Sequence, residues 1–112
     1  IEIIIKNYLA EKLSVPVVLE VPADPPKSFI LLEKTGSSRE EHIDRAMLAI
    51  QSYAPSMYEA ARLNERVKAA MDSAAELDAV SASRLNSDYN FTDTTTKRYR
   101  YQAVHDLVYF DK

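Results

Sequence analysis

The stretch HIDRAMLAIQSY, residues 42–53, decides the fold. Two periods fit it. Ile43, Ala46, Met47 and Ile50 recur at helical spacing, while Ala46, Leu48, Ile50 and Ser52 alternate with Arg45, Met47, Ala49 and Gln51 as a strand would. The neighbouring segments separate the two readings. Ala54-Pro55-Ser56 punctuates the chain, and a clearly helical pattern begins directly after it. A helix at 42–53 would leave the preceding apolar run SFILLEKT, residues 28–35, without a hairpin partner. The stretch is therefore read as a strand, joined to 28–35 by a polar loop at residues 36–41.

Toward the C-terminus, residues 56–77 carry the strongest helical signal. Ser56 followed by Glu59 has the spacing of a capping box. Met57, Ala60, Leu63 or Asn64, Val67, Ala70, Met71 and Ala74 form an apolar stripe, and seven alanines between Ala60 and Ala79 favour helix. About twenty residues would span ~30 Å. Residues 80–91 alternate weakly, and residues 93–97 form a Thr-rich connection. RYRYQAVHDLVYF, residues 98–110, is the best strand in the chain. It places Tyr99, Tyr101, Ala103, His105, Leu107 and Tyr109 on one face and Arg100, Gln102, Val104, Asp106, Val108 and Phe110 on the other. Thirteen strand residues span ~43 Å, so this strand is expected to project as a hairpin or to pair with a neighbouring chain.

Toward the N-terminus, Ile1, Ile4, Ile5, Tyr8 and Leu9 mark a helix of about eleven residues that ends before Val15-Pro16. VVLEV, residues 17–21, reads as a strand, and PADPP, residues 22–26, as a stiff extended loop. The order is α-β-β-β-α-β-β, with neither helix linking two strands through a short parallel crossover. This is an α+β pattern: a mostly antiparallel β-sheet with two helices packed on one face, forming a single domain over residues 1–112.

Composition narrows the function. The 112 residues are 46% hydrophobic and 28% charged, as in a globular chain. A formal net charge of −3 gives no overall attraction to nucleic acid or anionic membrane. No apolar run approaches the roughly 20 residues of a membrane span. Glu2, Lys6, Glu11 and Lys12 interrupt the opening segment, so no secretory signal is expected there. The absence of cysteine removes disulfides, thiol nucleophiles and cysteine metal sites. The only glycine is Gly36, which rules out glycine-rich phosphate loops and leads us to expect few primed hairpin turns.

No catalytic constellation emerges. His42 and His105 fall on separate predicted strands, and His105 and Asp106 point to opposite faces, so neither pair chelates a metal. Both are read as ordinary surface or sheet histidines. No Ser occupies a glycine-flanked elbow. Adjacent Glu40 and Glu41 read as a solvated acidic patch. No enzyme activity, metal or cofactor is predicted. Lys97-Arg98-Tyr99-Arg100-Tyr101 mixes basic and aromatic residues and could stack bases, but its alternation also describes an amphipathic strand with Tyr inward and Arg outward. Tyr and Arg are common protein-interface anchors, which favours a protein partner.

One run resembles a known family. SDYNFTDTTTKRYRYQAVHDLVY, residues 87–109, looks like the C-terminal hairpin of the small tail-completion, or tail-terminator, proteins of siphophages and prophages of Gram-positive bacteria. The matching features are Asn90-Phe91-Thr92-Asp93-Thr94 and Tyr99-Arg100-Tyr101-Gln102-Ala103. The rest agrees in order: a helix, then Val-Pro-Val-Val at 15–18, the proline loop from Pro22 to Phe29, the EKTG segment at 33–36, and the Ala-rich helix after Ser52-Tyr53-Ala54. The resemblance implies copies forming a ring, a hexamer when assembled, at the head-proximal end of the tail tube. The ring would stop tube polymerisation and dock the head–tail connector, without enzymatic activity. Its partners would be the tail tube protein, the connector or stopper protein and further copies of the chain, with no membrane and no specific nucleic acid. It would reside in the virion tail or neck after assembly in the host cytoplasm.

Residue assignments follow from both lines. Arg45, Arg98 and Arg100 are expected to meet Glu40, Glu41 or Asp93 of a neighbouring copy. Tyr89, Asn90, Phe91, Thr92 and Asp93 form the loop expected to contact the tube or connector. Two rivals stand beside this reading: a head-completion or stopper protein of the same neck, and a small nucleic-acid-binding or regulatory module.

Overall fold

Two helices and five strands follow in the order α-β-β-β-α-β-β: α1 (Glu2–Leu13), β1 (Val17–Val18), β2 (Phe29–Glu40), β3 (Ile43–Ala54), α2 (Met57–Asp72), β4 (Val80–Asn90) and β5 (Tyr99–Tyr109). A short 3-10 turn, Ala74–Glu76, follows α2. The structure, a computed structural model, describes residues 1–93, 95 and 98–110. Thr94, Thr96 and Lys97, part of the connection expected at 93–97, lie outside the described residues.

The strands form one sheet in the order β1-β2-β3-β5-β4. Only β1 and β2 are parallel; the other pairs are antiparallel. The fold is α+β with a mostly antiparallel sheet. One expectation is corrected. Since β3 and β4 both run antiparallel to β5, they are parallel to each other, and α2 joins them as a crossover with β5 inserted between.

Both helices pack into one core. Ile5, Leu9 and Leu13 of α1 and Leu63, Val67 and Met71 of α2 meet Ile30, Leu32, Leu48, Ile50 and Leu107 of the sheet. The stripe of α1 follows the predicted one except at Ile4: Ile5, Leu9 and Leu13 are buried and Ile1 and Tyr8 pack against them, while Ile4 is exposed with Ile3. Ser14, in the left-handed region at φ 54°, ends this helix just before Val15-Pro16. The Ser56 hydroxyl caps α2 by accepting from the Glu59 amide at 3.2 Å, as its spacing predicted. This helix is shorter than expected, giving way to the 3-10 turn at Ala74.

The strands near the N-terminus differ most from expectation. β1 keeps only two residues, and Leu19 to Val21 leave the sheet. β2 extends through residues 36–40, which were expected to form a loop. These polar residues remain a strand because β3 pairs with them as far as Glu40↔Ile43, with one irregularity between Lys34 and Gly36. The connection is then only Glu41-His42, both at positive φ (51° and 66°). This is the primed geometry that the scarcity of glycine argued against, built here from two residues that adopt it at a cost. His42 thus lies in a turn and not on a strand. β5 does not project: β3 and β4 flank it along its length.

Candidate functional site

The helices cover one face of the sheet, and cross-strand pairing arranges the opposite face in rows. Phe29, Tyr53 and Arg100 form the first row; Leu31, Gln51, Gln102 and Tyr89 the second. Farther along, Gly36, Met47, Asp106 and Arg84 form one row, and Ser38, Arg45, Val108 and Ala82 the last. Paired residues of neighbouring strands share a face, so these rows are contiguous surface.

The first two rows are tightly organised. The Phe29 and Tyr53 rings stack with centroids 4.5 Å apart. The Arg100 guanidinium lies 4.4 Å from the Phe91 ring centroid and 5.6 Å from that of Tyr53, within cation–π range. It donates to the Tyr53 hydroxyl at 2.7 Å and to the Phe91 carbonyl at 2.6 Å. The Tyr53 hydroxyl donates in turn to Gln51 Oε1 at 3.0 Å. Gln51 Nε2 donates to Gln102 Oε1 at 2.9 Å, and Gln102 Nε2 donates to the Tyr89 hydroxyl. Every link donates in the same direction, an arrangement in which hydrogen bonds polarise one another. Gln51, Tyr53 and Gln102 are buried although no helix lies above them.

This ladder anchors the expected contact loop. Tyr89 and Asn90 end β4, and Phe91, Thr92 and Asp93 continue from it. The Asn90 side chain accepts from the Thr92 amide at 3.0 Å, and Thr92 Oγ1 accepts from the Arg100 amide at 3.3 Å. Phe91 meets Tyr89 edge-on and lies under Arg100, yet 40% of it remains exposed. Asp93 forms a β-bridge with Arg98.

The ten candidates fall into two groups. Tyr89, Asn90, Phe91, Thr92, Asp93, Arg98 and Arg100 gather at the end of the sheet where β3 finishes. Glu40, Glu41 and Arg45 lie at the opposite, hairpin end, about nine residues along β3, roughly 30 Å away. Arg100 is engaged within its own chain. Arg45 and Arg98 are exposed.

The hairpin end carries a groove of about 600 Å³, with Arg45, Met47, Ala82, Arg84, Asp106 and Val108 among its lining residues. Irregularities at Lys34/Gly36 in β2 and at Val80/Ala82 and Leu85/Ser87 in β4 add twist on both sides of it. Sequence reasoning missed the groove and the Gln51–Gln102 ladder. The available signal was a single glutamine in each of two long strands, together with the outward alternation of Arg45, Met47, Ala49, Gln51 and Tyr53.

His105 is a sheet histidine of β5 and not a surface one: it faces the helices and is fully buried. Neither ring nitrogen has a hydrogen-bond partner among the described residues. Burial lowers its pKa to about 4, against the opposing pull of Asp72, Asp106 and Asp88. Lys68 adds to the lowering. No three His, Asp or Glu side chains group to hold a metal among the described residues. Among them, no helix is long and apolar enough to cross a membrane. Compared with models of known protein families and with curated proteins, the sequence matches none.

Proposed function

We propose that the chain is a structural protein of a siphophage or prophage tail. In this reading its copies form a ring, a hexamer when assembled, at the head-proximal end of the tail tube. The ring stops tube polymerisation and presents a docking surface to the head–tail connector. It belongs to the tail or neck of the virion and assembles in the host cytoplasm. It has no enzymatic role.

The observation that carries this reading is a sheet with no helix on one face and with open outer edges. β1 pairs with β2 only at Ile30 and Leu31, so among the described residues no strand flanks β2 beyond them, and none flanks the outer side of β4. Such surfaces are what a protein that acts by contact with other chains must offer. The blocks of the family resemblance coincide with the parts that build this surface: EKTG leads into the irregularity of β2, and the NFTD segment is the loop that Arg100 anchors. In this reading the 89–93 loop meets the tube or connector through Phe91, and Arg45, Arg98, Glu40 and Glu41 contact ring neighbours. Arg100 serves the same loop from within the chain.

A nucleic-acid platform over residues 97–101 is the weaker alternative. The Arg100 guanidinium is committed to Tyr53 and Phe91, and Tyr101 lies on the helix-covered side of β5. Electron microscopy of lysates from an induced prophage with this gene disabled tests the proposal. Overlong, headless tubes beside unjoined filled heads are expected. Tails of normal length beside leaking heads would transfer the chain to a head-completion role, and intact particles would refute both.

A further inference from the structure

The groove at the hairpin end combines an apolar floor with positive charge that is unpaired among the described residues. Met47 is 40% exposed within it, beside Ala82 and Val108. Arg45 and Arg84 stand in its lining, and neither forms an ion pair among the described residues. Among the described residues that line it, the one carboxylate is Asp106, which accepts from Asn86 Nδ2 at 3.1 Å. An occupant that satisfies this surface offers apolar side chains together with negative charge for the two arginines.

The chain itself presents such a segment. Residues 19–24, LEVPAD, are exposed throughout. Leu19 is 42% and Val21 37% exposed, unusual for aliphatic side chains in a connection. Glu20 and Asp24 are its only charges. Pro22 within the segment, with Pro25 and Pro26 directly after it, fixes three backbone φ angles, so little conformational freedom remains to be lost on docking. The segment does not line its own groove. It departs from β1 beside Leu31 and returns to Phe29, whereas the groove opens farther along β2 at residues 36–38.

We infer that residues 19–24 of one copy dock in the Arg45–Arg84 groove of the next. Leu19 and Val21 cover Met47 and Val108, and Glu20 and Asp24 neutralise the two arginines. The two surfaces differ, so the contact is head-to-tail and propagates from copy to copy, as a ring requires. The inference rests on the reading that copies of this chain meet in a ring, and it assigns that contact to particular residues.

The chain's lack of cysteine makes the test direct. Two singly substituted chains, Val21→Cys and Met47→Cys, are mixed under mild oxidation, and the heterodimeric disulfide is followed on non-reducing gels. Coupling roughly tenfold or more faster than in a control mixture of Val21→Cys with Ala75→Cys is expected, since docking raises the local concentration of the partner thiol. Adding R45E and R84E to the Met47→Cys chain should return the rate to the control value. E20K and D24K on the Val21→Cys chain should restore it. A rate no faster than the control, or one indifferent to both charge reversals, overturns the inference. Binding of a single-stranded oligonucleotide that is lost with R45E and R84E, without cysteine coupling, reassigns the groove to phosphate and also overturns it. Sedimentation of the unsubstituted chain separates this failure from failure of the ring reading. Closed oligomers without 21–47 coupling leave the ring standing on other surfaces, whereas coupling that yields only open chains upholds the groove and refutes the ring.

Discussion

On one side of the sheet Ile30, Leu32, Leu48, Ile50 and Leu107 lose their contact with solvent beneath two helices; on the other, Phe29, Gln51, Tyr53 and Gln102 are almost as buried with no helix above them. The covered side relies on apolar packing, which is strong and indifferent to direction. The open side relies on one ring stack and a relay of hydrogen bonds from Arg100 to Tyr89, each of modest net worth but fixed in geometry. The difference teaches a division of labour. Stability is concentrated under the helices, and the open face is kept shaped but weakly held.

That comparison can be broken most forcefully from the covered side. Met71 of α2 is fully buried in the core, and Met71→Ala should cost about 2–5 kcal/mol by chemical denaturation. A loss well under ~1 kcal/mol would show that the helical layer is not the main source of stability. Next in size is the acid response of His105. Its folded pKa of about 4 lies below the ordinary 6.5, so the folded state favours the neutral ring. This contribution is complete above pH 6.5 and is lost as the pH falls toward 4, by about 3 kcal/mol in all. Denaturation midpoints measured from pH 7 to 4 should fall accordingly, and His105→Leu should flatten that limb of the profile.

The open face offers a smaller effect. Tyr53→Phe keeps the stack on Phe29 but removes the hydroxyl joining Arg100 to Gln51, for an expected loss of about 1–2 kcal/mol. Thermal denaturation measures it, and a loss equal to that of Met71→Ala would erase the contrast between the faces. Smallest is the hairpin turn. Glu41→Asn with His42→Gly supplies residues suited to positive φ and should stabilise by roughly 1 kcal/mol. A loss would show that Glu41 or His42 makes contacts that outweigh the backbone strain.

The sequence was readable where burial imposes a period. Leu63, Val67 and Met71 marked α2, and Ala103, His105 and Leu107 marked the covered face of β5, because each lies against a single apolar layer. The ambiguous stretch at 42–53 resolved as a strand through the needs of its neighbours. Residues 36–40 of β2 gave no such signal, since all of them are exposed and only pairing to β3 makes them a strand. Glu41-His42 was missed because glycine is the usual sign of a primed turn. The ladder was missed because Gln51 and Gln102 lie 51 positions apart and are joined only through cross-strand register. The groove needs that register too, since it brings Met47, Asp106 and Arg84 into one row.

The insertion of β5 between β3 and β4 has a consequence for synthesis. The strand that occupies an inner position of the sheet is the last of the five to leave the ribosome, at roughly 5–20 residues per second. Without β5, β4 has no strand partner among the described residues and β3 has only β2. β5 meets β4 as its hairpin neighbour in the chain but reaches β3 only across the whole of α2 and β4, the kind of non-local pairing that makes folding slow.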